Sequence, residues 1–283
     1  MTSLDELGQR KEEKRQLKFK IYRYAGEGRG SYSSYNIDVK NGMTLLDGLL
    51  KIKEENDPTL TFRYSCRMGI CGSCGVVANG KEKLACKTQL SDYKKEVEIR
   101  PLNNLAVIRD LVVEFGPLLD KNRKVKPYLV RKDIDDNLNR EFRQTPDELN
   151  EYLNFSNCIM CGLCYSACPT NATDILYLGP QALTKAYRFI ADSRDSGHLE
   201  RVRIVDDEHG LWNCHFAGSC SDVCPKGVDP AFAIQQLKAL ALRKGSQLKN
   251  DAITASGKGE RFSCCLISAI YMSAKDLQNC EYS

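Results

Sequence analysis

Cys158-Ile159-Met160-Cys161-Gly162-Leu163-Cys164-Tyr165-Ser166-Ala167-Cys168-Pro169 sets three thiols at two-residue gaps, a fourth three residues later, and a proline behind it. In that spacing the first three thiolates wrap one iron–sulfur cluster while the fourth reaches a neighbouring cluster. Further thiols are therefore required, and Cys214, Cys220 and Cys224-Pro225 supply them. A second full run would need cysteine at position 217, where the chain has Ala217. Three thiolates cannot fill four iron corners, so the simplest assignment is a 3Fe-4S cluster on Cys168, Cys214 and Cys220. Cys224 then completes a 4Fe-4S site with Cys158, Cys161 and Cys164. The alternative is a four-iron cluster with a non-cysteine fourth ligand, since His215 is adjacent; a histidine there otherwise lines the pocket or supports a ligand from behind. Cys164 and Cys168 are four residues apart, one turn if helical, which holds ligands of both clusters on one short segment.

A second kind of cysteine loop lies upstream, at Cys66-Arg67-Met68-Gly69-Ile70-Cys71-Gly72-Ser73-Cys74-Gly75, with Cys86 beyond it. Gaps of four and two residues followed by a distant fourth thiol hold a 2Fe-2S cluster. Gly69, Gly72 and Gly75 suit that task, because backbone without a β-carbon folds tightly round sulfur and aims N–H groups at it. Zinc also binds paired C-x-x-C units. The single pair, the four-residue gap and the interleaved glycines count against it.

Fourteen cysteines in 283 residues would also suit a secreted disulfide scaffold, but that class is short and carries an export signal. Met1 to Gln16 is charged, lacks an apolar core and holds four acidic residues, unlike a secretory or mitochondrial leader. The thiols are thus expected to be reduced and metal-bound in a cytoplasm-like compartment. No apolar run is long enough to span a bilayer. The formal charge of +4 counts cysteines as neutral. With three clusters, each contributing about two negative charges, the loaded protein sits near roughly minus two, and no nucleic-acid partner is implied.

Alternation in Leu17 to Tyr24 and Tyr35 to Val39 predicts a β-hairpin. Thr44 caps a helix with an apolar stripe of Leu45, Leu46, Leu49, Leu50 and Ile52. Strands follow at Gly75 to Ala78 and Val97 to Arg100, with Asn79-Gly80 as a hairpin turn. From Asn104 the spacing of Leu105, Ile108, Leu111, Val112 and Phe115 predicts a helix up to Gly116-Pro117, and the domain boundary is placed there. The basic stretch Lys121 to Lys132 reads as a solvated connector, with a partner contact as the alternative. Thr145 and Glu148 form a capping box. A helix after Gly179-Pro180 should bury Leu183, Ala186, Tyr187, Phe189 and Ile190, and Trp212 should pack beside a cluster. A last helix from Asp229-Pro230 to about Gly245 should turn Phe232, Ile234, Leu237 and Leu240 inward. Residues 246–283 read as a loose tail, with membrane-surface or partner docking of Phe262 to Met272 as the alternative; Cys264, Cys265 and Cys280 lack cluster spacing. The divisions are a tail at 1–16, a 2Fe-2S domain at 17–104, a helical two-cluster domain at 105–245, and a tail at 246–283.

The two cysteine groups, Leu84-Ala85-Cys86, Ala186-Tyr187-Arg188-Phe189, Asp192-Ser193-Arg194-Asp195 and Cys224-Pro225-Lys226-Gly227, in this order, resemble the iron–sulfur subunit of succinate dehydrogenase and fumarate reductase over residues 17–244. The resemblance implies an α+β chain: an N-terminal β-grasp 2Fe-2S ferredoxin domain, then an α-helical ferredoxin domain with the 4Fe-4S and 3Fe-4S clusters. It implies a flavoprotein partner carrying FAD and the succinate site, membrane anchor subunits, and a quinone acceptor. The chain would then be a peripheral subunit on the cytoplasmic face of the cell membrane. It would carry electrons singly from flavin to quinone, doing no succinate chemistry itself. The alternatives are the reverse direction, as in fumarate reductase, and a free ferredoxin-type carrier. Pro169, Thr170 and His215 match quinone-pocket positions. The tryptophan that ubiquinone-reducing members place shortly after Cys-Pro is missing between Pro169 and Gly179, and that segment is one residue shorter.

Overall fold

The computed structural model describes residues 15–131 and 141–256, with side chains as far as 243. Strands β1 (Arg15–Arg23) and β2 (Ser31–Val39) form the expected antiparallel hairpin, with Leu17 opposite Ile37 and Phe19 opposite Tyr35. Period-two alternation buries Leu17, Phe19 and Ile21 on one face. Helix α1 (Leu45–Glu55) crosses that face. Its capping box is complete: Thr44 Oγ1 accepts from Asp47 N at 3.2 Å, and Asp47 Oδ2 accepts from Thr44 N at 2.8 Å. Leu45, Leu46, Leu49 and Ile52 are buried, contributing on the order of 6–12 kcal/mol of apolar burial before entropic costs. Gly48 admits the close crossing, since a β-carbon there would meet the Phe19 ring at 2.4 Å.

Strands β3 (Gly75–Ala78) and β4 (Lys81–Leu84) pair around the left-handed Asn79-Gly80 turn. Strand β5 (Glu96–Arg100) runs parallel to β1 and antiparallel to β3. The sheet order is β2-β1-β5-β3-β4, the expected β-grasp layout with a helix packed across a mixed sheet.

The helix expected from Asn104 to Phe115 is absent. Those residues form two short strands, β6 (Val107–Arg109) and β7 (Val112–Val113), around left-handed Asp110. The apolar spacing mimicked a helix, but Asp110 decides the conformation. Its buried carboxylate accepts from Tyr24 N at 3.0 Å, Thr61 N at 2.9 Å and Arg23 Nε at 2.9 Å. Those bonds pin the turn to the end of β1, and Leu111 and Val113 enter the sheet's core.

The remainder is helical: α2 (Gly116–Lys124), α3 (Pro146–Asn150), α4 (Leu153–Ser156), α5 (Leu163–Ser166), α6 (Pro169–Thr173), α7 (Pro180–Ile190), α8 (His198–Val205), α9 (Ser219–Asp222) and α10 (Pro230–Ser256). The Thr145–Glu148 capping box is present at α3. The connector reading of Lys121 to Lys132 is corrected. Residues to Lys124 are helical, and Lys121 is buried, donating to Tyr165 Oη at 2.8 Å and Ile175 O at 2.7 Å. Lys132 lies outside the described residues. On α7 the buried face is Ala182, Leu183 and Ala186, whereas Tyr187, Phe189 and Ile190 are only half-buried. Ile234 and Leu237 of α10 point inward as expected, Leu240 is half-buried, and Phe232 is exposed, stacking on Phe155. Helix α10 continues to Ser256, so the segment expected to begin a loose tail at 246 starts as helix. Phe262 to Met272, Cys264, Cys265 and Cys280 lie outside the described residues. The chain divides into compact units ending at Ala241 and beginning at Leu242.

Asp192 anchors the turn after α7, accepting from Arg188 Nη1 at 3.0 Å and from Arg194 Nε and Nη2, each at 2.8 Å. Burial alone would raise its carboxyl, but the Arg194 bonds and charge, with Arg188, outweigh it and hold it at about 2. The unfolded value is about 3.9. This contribution to stability is therefore complete above about pH 4 and is lost as pH falls through 2. Asp192→Asn should lower stability at neutral pH and flatten the acid loss in that window, read by thermal melts from pH 7 to pH 2.

Candidate metal centres

The loop between α1 and β3 is folded around sulfur. Cys66 Sγ accepts from Ile70 N and Cys71 N, each at 3.3 Å, because Arg67, Gly69 and Gly72 adopt left-handed backbone and turn the amides inward. Burial pushes the Cys74 thiol up to about 12, while contact with Ser73 Oγ at 3.2 Å, then Cys66, pulls Cys71 down to about 6. Cys86 is buried beside Cys74 at the end of β4, where Ala85 N donates to Cys74 O at 3.0 Å. The four predicted thiols of the first site thus share one loop-and-strand corner.

Two cavities occupy the helical part. One is walled by Cys158, Cys161, Cys164 and Cys224, the other by Cys168, Cys214 and Cys220. Each is lined by thiols of both the 158–168 run and the 214–224 group. Pro169, Thr170 and His215 all border the second of these, together with Tyr177 and Phe216. Burial pushes Cys161 and Cys220 up to about 11 and raises Cys164 and Cys168. Such thiols must lose protons to ligate, so cluster binding weakens as pH falls.

The two ligand runs are conformational repeats. Met160 and Gly162 have φ of +53° and +79°, and Phe216 and Gly218 have +56° and +77°. Ala217 therefore occupies the backbone position of Cys161, and it borders the second cavity. A lone non-glycine residue at φ > 0 has no sequence signal, so Met160 and Phe216 were not anticipated as shaping residues. Trp212 was misjudged: it is 43% exposed, donates to Asp206 Oδ1 and lies off the cavity wall.

The first site abuts the second. A β-carbon on Gly72 would lie 2.8 Å from Cys161 Cβ, 3.0 Å from its Cα and 3.1 Å from Ile159 O. Cys161 and Leu163 belong to the same buried core as the sheet. Asn104, read only as a boundary residue, donates through Nδ2 to Tyr165 O, Ser166 O and Cys168 O at 3.0–3.1 Å. It thereby caps the carbonyls left open at the end of the ligand-bearing helix α5.

The donor sets suit clusters. Among the described residues no three His, Cys, Asp or Glu side chains converge closely enough for a single ion. Cys158, Cys161, Cys164 and Cys224 surround one cavity and Cys168, Cys214 and Cys220 another, which suits multi-iron clusters. Among these residues no helix is long and apolar enough to cross a membrane.

Comparison with known proteins gives the same division. A family described as 2Fe-2S iron-sulfur cluster binding domain matches residues 18–120, and one described as 4Fe-4S dicluster domain matches residues 154–228. The fumarate reductase iron-sulfur subunit of Mycobacterium tuberculosis is 47% identical over 78% of this chain and 90% of its own. The succinate dehydrogenase iron-sulfur subunit of Paracoccus denitrificans is 40% identical over 78% and 86%. A chain of the Mycobacterium smegmatis Sdh1 complex superposes with a TM-score of 0.76 at 25% identity, covering 82% of this chain and 97% of that one. With the crossed thiol cavities, these likenesses show that the chain belongs to the family of succinate dehydrogenase and fumarate reductase iron–sulfur subunits.

Proposed function

We propose that this chain is the electron-carrying subunit of a succinate dehydrogenase, working between a flavoprotein partner with FAD and a quinone at membrane anchor subunits. The observation that carries this reading is the sharing of the Cys158–Cys168 segment between two thiol-walled cavities, with the 2Fe-2S loop packed against it at Gly72 and Cys161. Cys66, Cys71, Cys74 and Cys86 would hold the 2Fe-2S cluster, Cys158, Cys161, Cys164 and Cys224 the 4Fe-4S cluster, and Cys168, Cys214 and Cys220 the 3Fe-4S cluster. When bound, the clusters supply one-electron transfer between a flavin and a quinone that each exchange two.

The chain's own part is to hold these groups in place and close to one another. Residues 17–104 form the first electron-carrying domain and 105–245 the second, with β6 and β7 packed onto the first. Met68 and Ile70, 71% and 54% exposed on the 2Fe-2S loop, offer an apolar face to the flavoprotein. Pro169, Thr170 and His215 border the quinone end, where exposed Ile175, Leu176 and Phe216 suit an apolar anchor. The subunit is then peripheral, on the cytoplasmic face of the membrane. The reverse direction, fumarate reduction, is favoured by one observation: relatives named fumarate reductase share 43–47% identity, against 40% for those named succinate dehydrogenase.

Iron and sulfide analysis with EPR of the purified complex tests the assignment. About nine irons per chain and a 3Fe-4S signal on oxidation are expected; about ten irons with no 3Fe-4S signal on oxidation, or substantial zinc, would contradict it. Ala217→Cys places a thiol at the repeat position of Cys161 and should convert the three-iron site to four irons with a lower potential. A fully loaded variant with an unchanged 3Fe-4S signal would refute the placement of that site.

A further inference from the structure

The edge strand β4 carries a carboxylate that the cluster assignment leaves unused. Glu82 is 8% exposed, and Ser166, at the end of α5, is 4% exposed. Glu82 Oε1 accepts from Ser166 Oγ at 2.9 Å and from Asn103 Nδ2 at 3.1 Å, while Asn103 N donates to Ser166 Oγ at 2.8 Å. Both partners of the carboxylate are neutral. Ser166 lies two residues after Cys164 and two before Cys168, and Glu82 lines a cleft of about 740 Å³ together with Leu163 and Cys224. The charge thus sits between the 2Fe-2S strand and the segment that supplies ligands to both other centres. The other charged groups on this cleft are Lys81, Lys83, Lys87 and Asp222, of which Lys81, Lys87 and Asp222 are exposed to screening by solvent.

We propose that Glu82 tunes the reduction potential of the 4Fe-4S centre, its buried carboxylate making that site harder to reduce than it would be without the charge. Adding an electron adds a negative charge, and a fixed anion in low-dielectric surroundings opposes that more strongly than one in water. The hydrogen bonds from Ser166 and Asn103 keep the anion in place, so Glu82 acts as a positioning residue on the cluster rather than as a ligand.

This inference rests on the 4Fe-4S assignment above, and the two fail differently. EPR-monitored redox titration of the intact complex would compare the unaltered protein with Glu82→Gln, which keeps both accepted bonds but removes the charge. The expected result is a roughly ten-fold shift of the 4Fe-4S reduction equilibrium toward the reduced form, about 59 mV upward, with a smaller shift at the 3Fe-4S centre. Ser166→Ala keeps the charge and removes one bond, and should not raise that potential. A loaded Glu82→Gln complex with an unmoved or lowered 4Fe-4S potential overturns the proposal. So does an equal rise in Ser166→Ala, or a failure of Glu82→Gln to assemble, which would make the carboxylate purely structural. Absence of a 4Fe-4S signal from the unaltered complex refutes the assignment instead.

Discussion

Gly72→Ala is expected to remove most of the 2Fe-2S signal from the complex and to lower its melting temperature. Gly72 has φ of +73°, a conformation that costs an L-residue about 1–2 kcal/mol. Its added β-carbon would also stand 2.8 Å from Cys161 Cβ, against a core that must shift by a cost of about 1–3 kcal/mol. The neighbour cannot swing aside, because Cys161 is buried and its backbone continues into left-handed Gly162. Both losses fall on one loop, so the cysteines at 71 and 74 move together and the gap to the next centre widens. Spin quantitation of the 2Fe-2S signal, with a thermal melt, reads the outcome. A full signal at an unchanged melting temperature would show that the contact with Cys161 is slack.

Arg201→Ala should cost about 3–5 kcal/mol, the usual penalty for breaking a buried ion pair by removing one partner. Arg201 and Asp195 both have fully buried side chains, with Nη1 and Oδ1 2.5 Å apart. Arg201 also donates through Nε to Lys126 O at 3.0 Å and through Nη2 to Tyr128 O, while Asp195 accepts from Val130 N at 2.9 Å and Gly197 N at 2.6 Å. One pair thus fastens the stretch after α2 to α8. Truncation leaves a buried carboxylate without its counter-ion and takes the guanidinium's bond from Tyr128 O, while Lys126 O keeps the Tyr128 N donor at 2.8 Å. Differential scanning calorimetry of the loaded complex measures the loss; a drop equivalent to less than about 1 kcal/mol would mean that water replaces the guanidinium. Asp195→Asn is expected to be milder, since the amide oxygen can still accept from Gly197 N.

The contrast between residues 75–100 and 104–116 shows where periodicity is informative. At Asn79-Gly80 the turn chemistry is local, as two left-handed residues define a hairpin whatever surrounds them. At Asp110 the turn depends on Arg23, Tyr24 and Thr61, which are far away in sequence, so helix-like apolar spacing gave the wrong element. Lys121 makes the same point for charge: a basic run reads as solvated, yet Tyr165 Oη and Ile175 O provide a buried socket for one of its members. Phe232 erred in the other direction: it is exposed, and among the described residues only the Phe155 ring stacks against it.

The cysteine pattern was legible because metal coordination ties ligand spacing to cluster type, and Ala217 marks the odd site by a single missing thiol. From that pattern came the two kinds of cluster loop and the proposal of crossed ligands, while the family needed Ala186 to Phe189, Asp192 to Asp195 and Cys224 to Gly227 as well. Only the folded chain decides how closely the centres approach, through Gly72 at Cys161, and how the shared segment is held, through Asn104 and the Glu82–Ser166 bond. Those contacts join residues up to 89 apart in sequence, between 72 and 161, and depend on backbone direction and burial, which spacing within a short motif cannot encode.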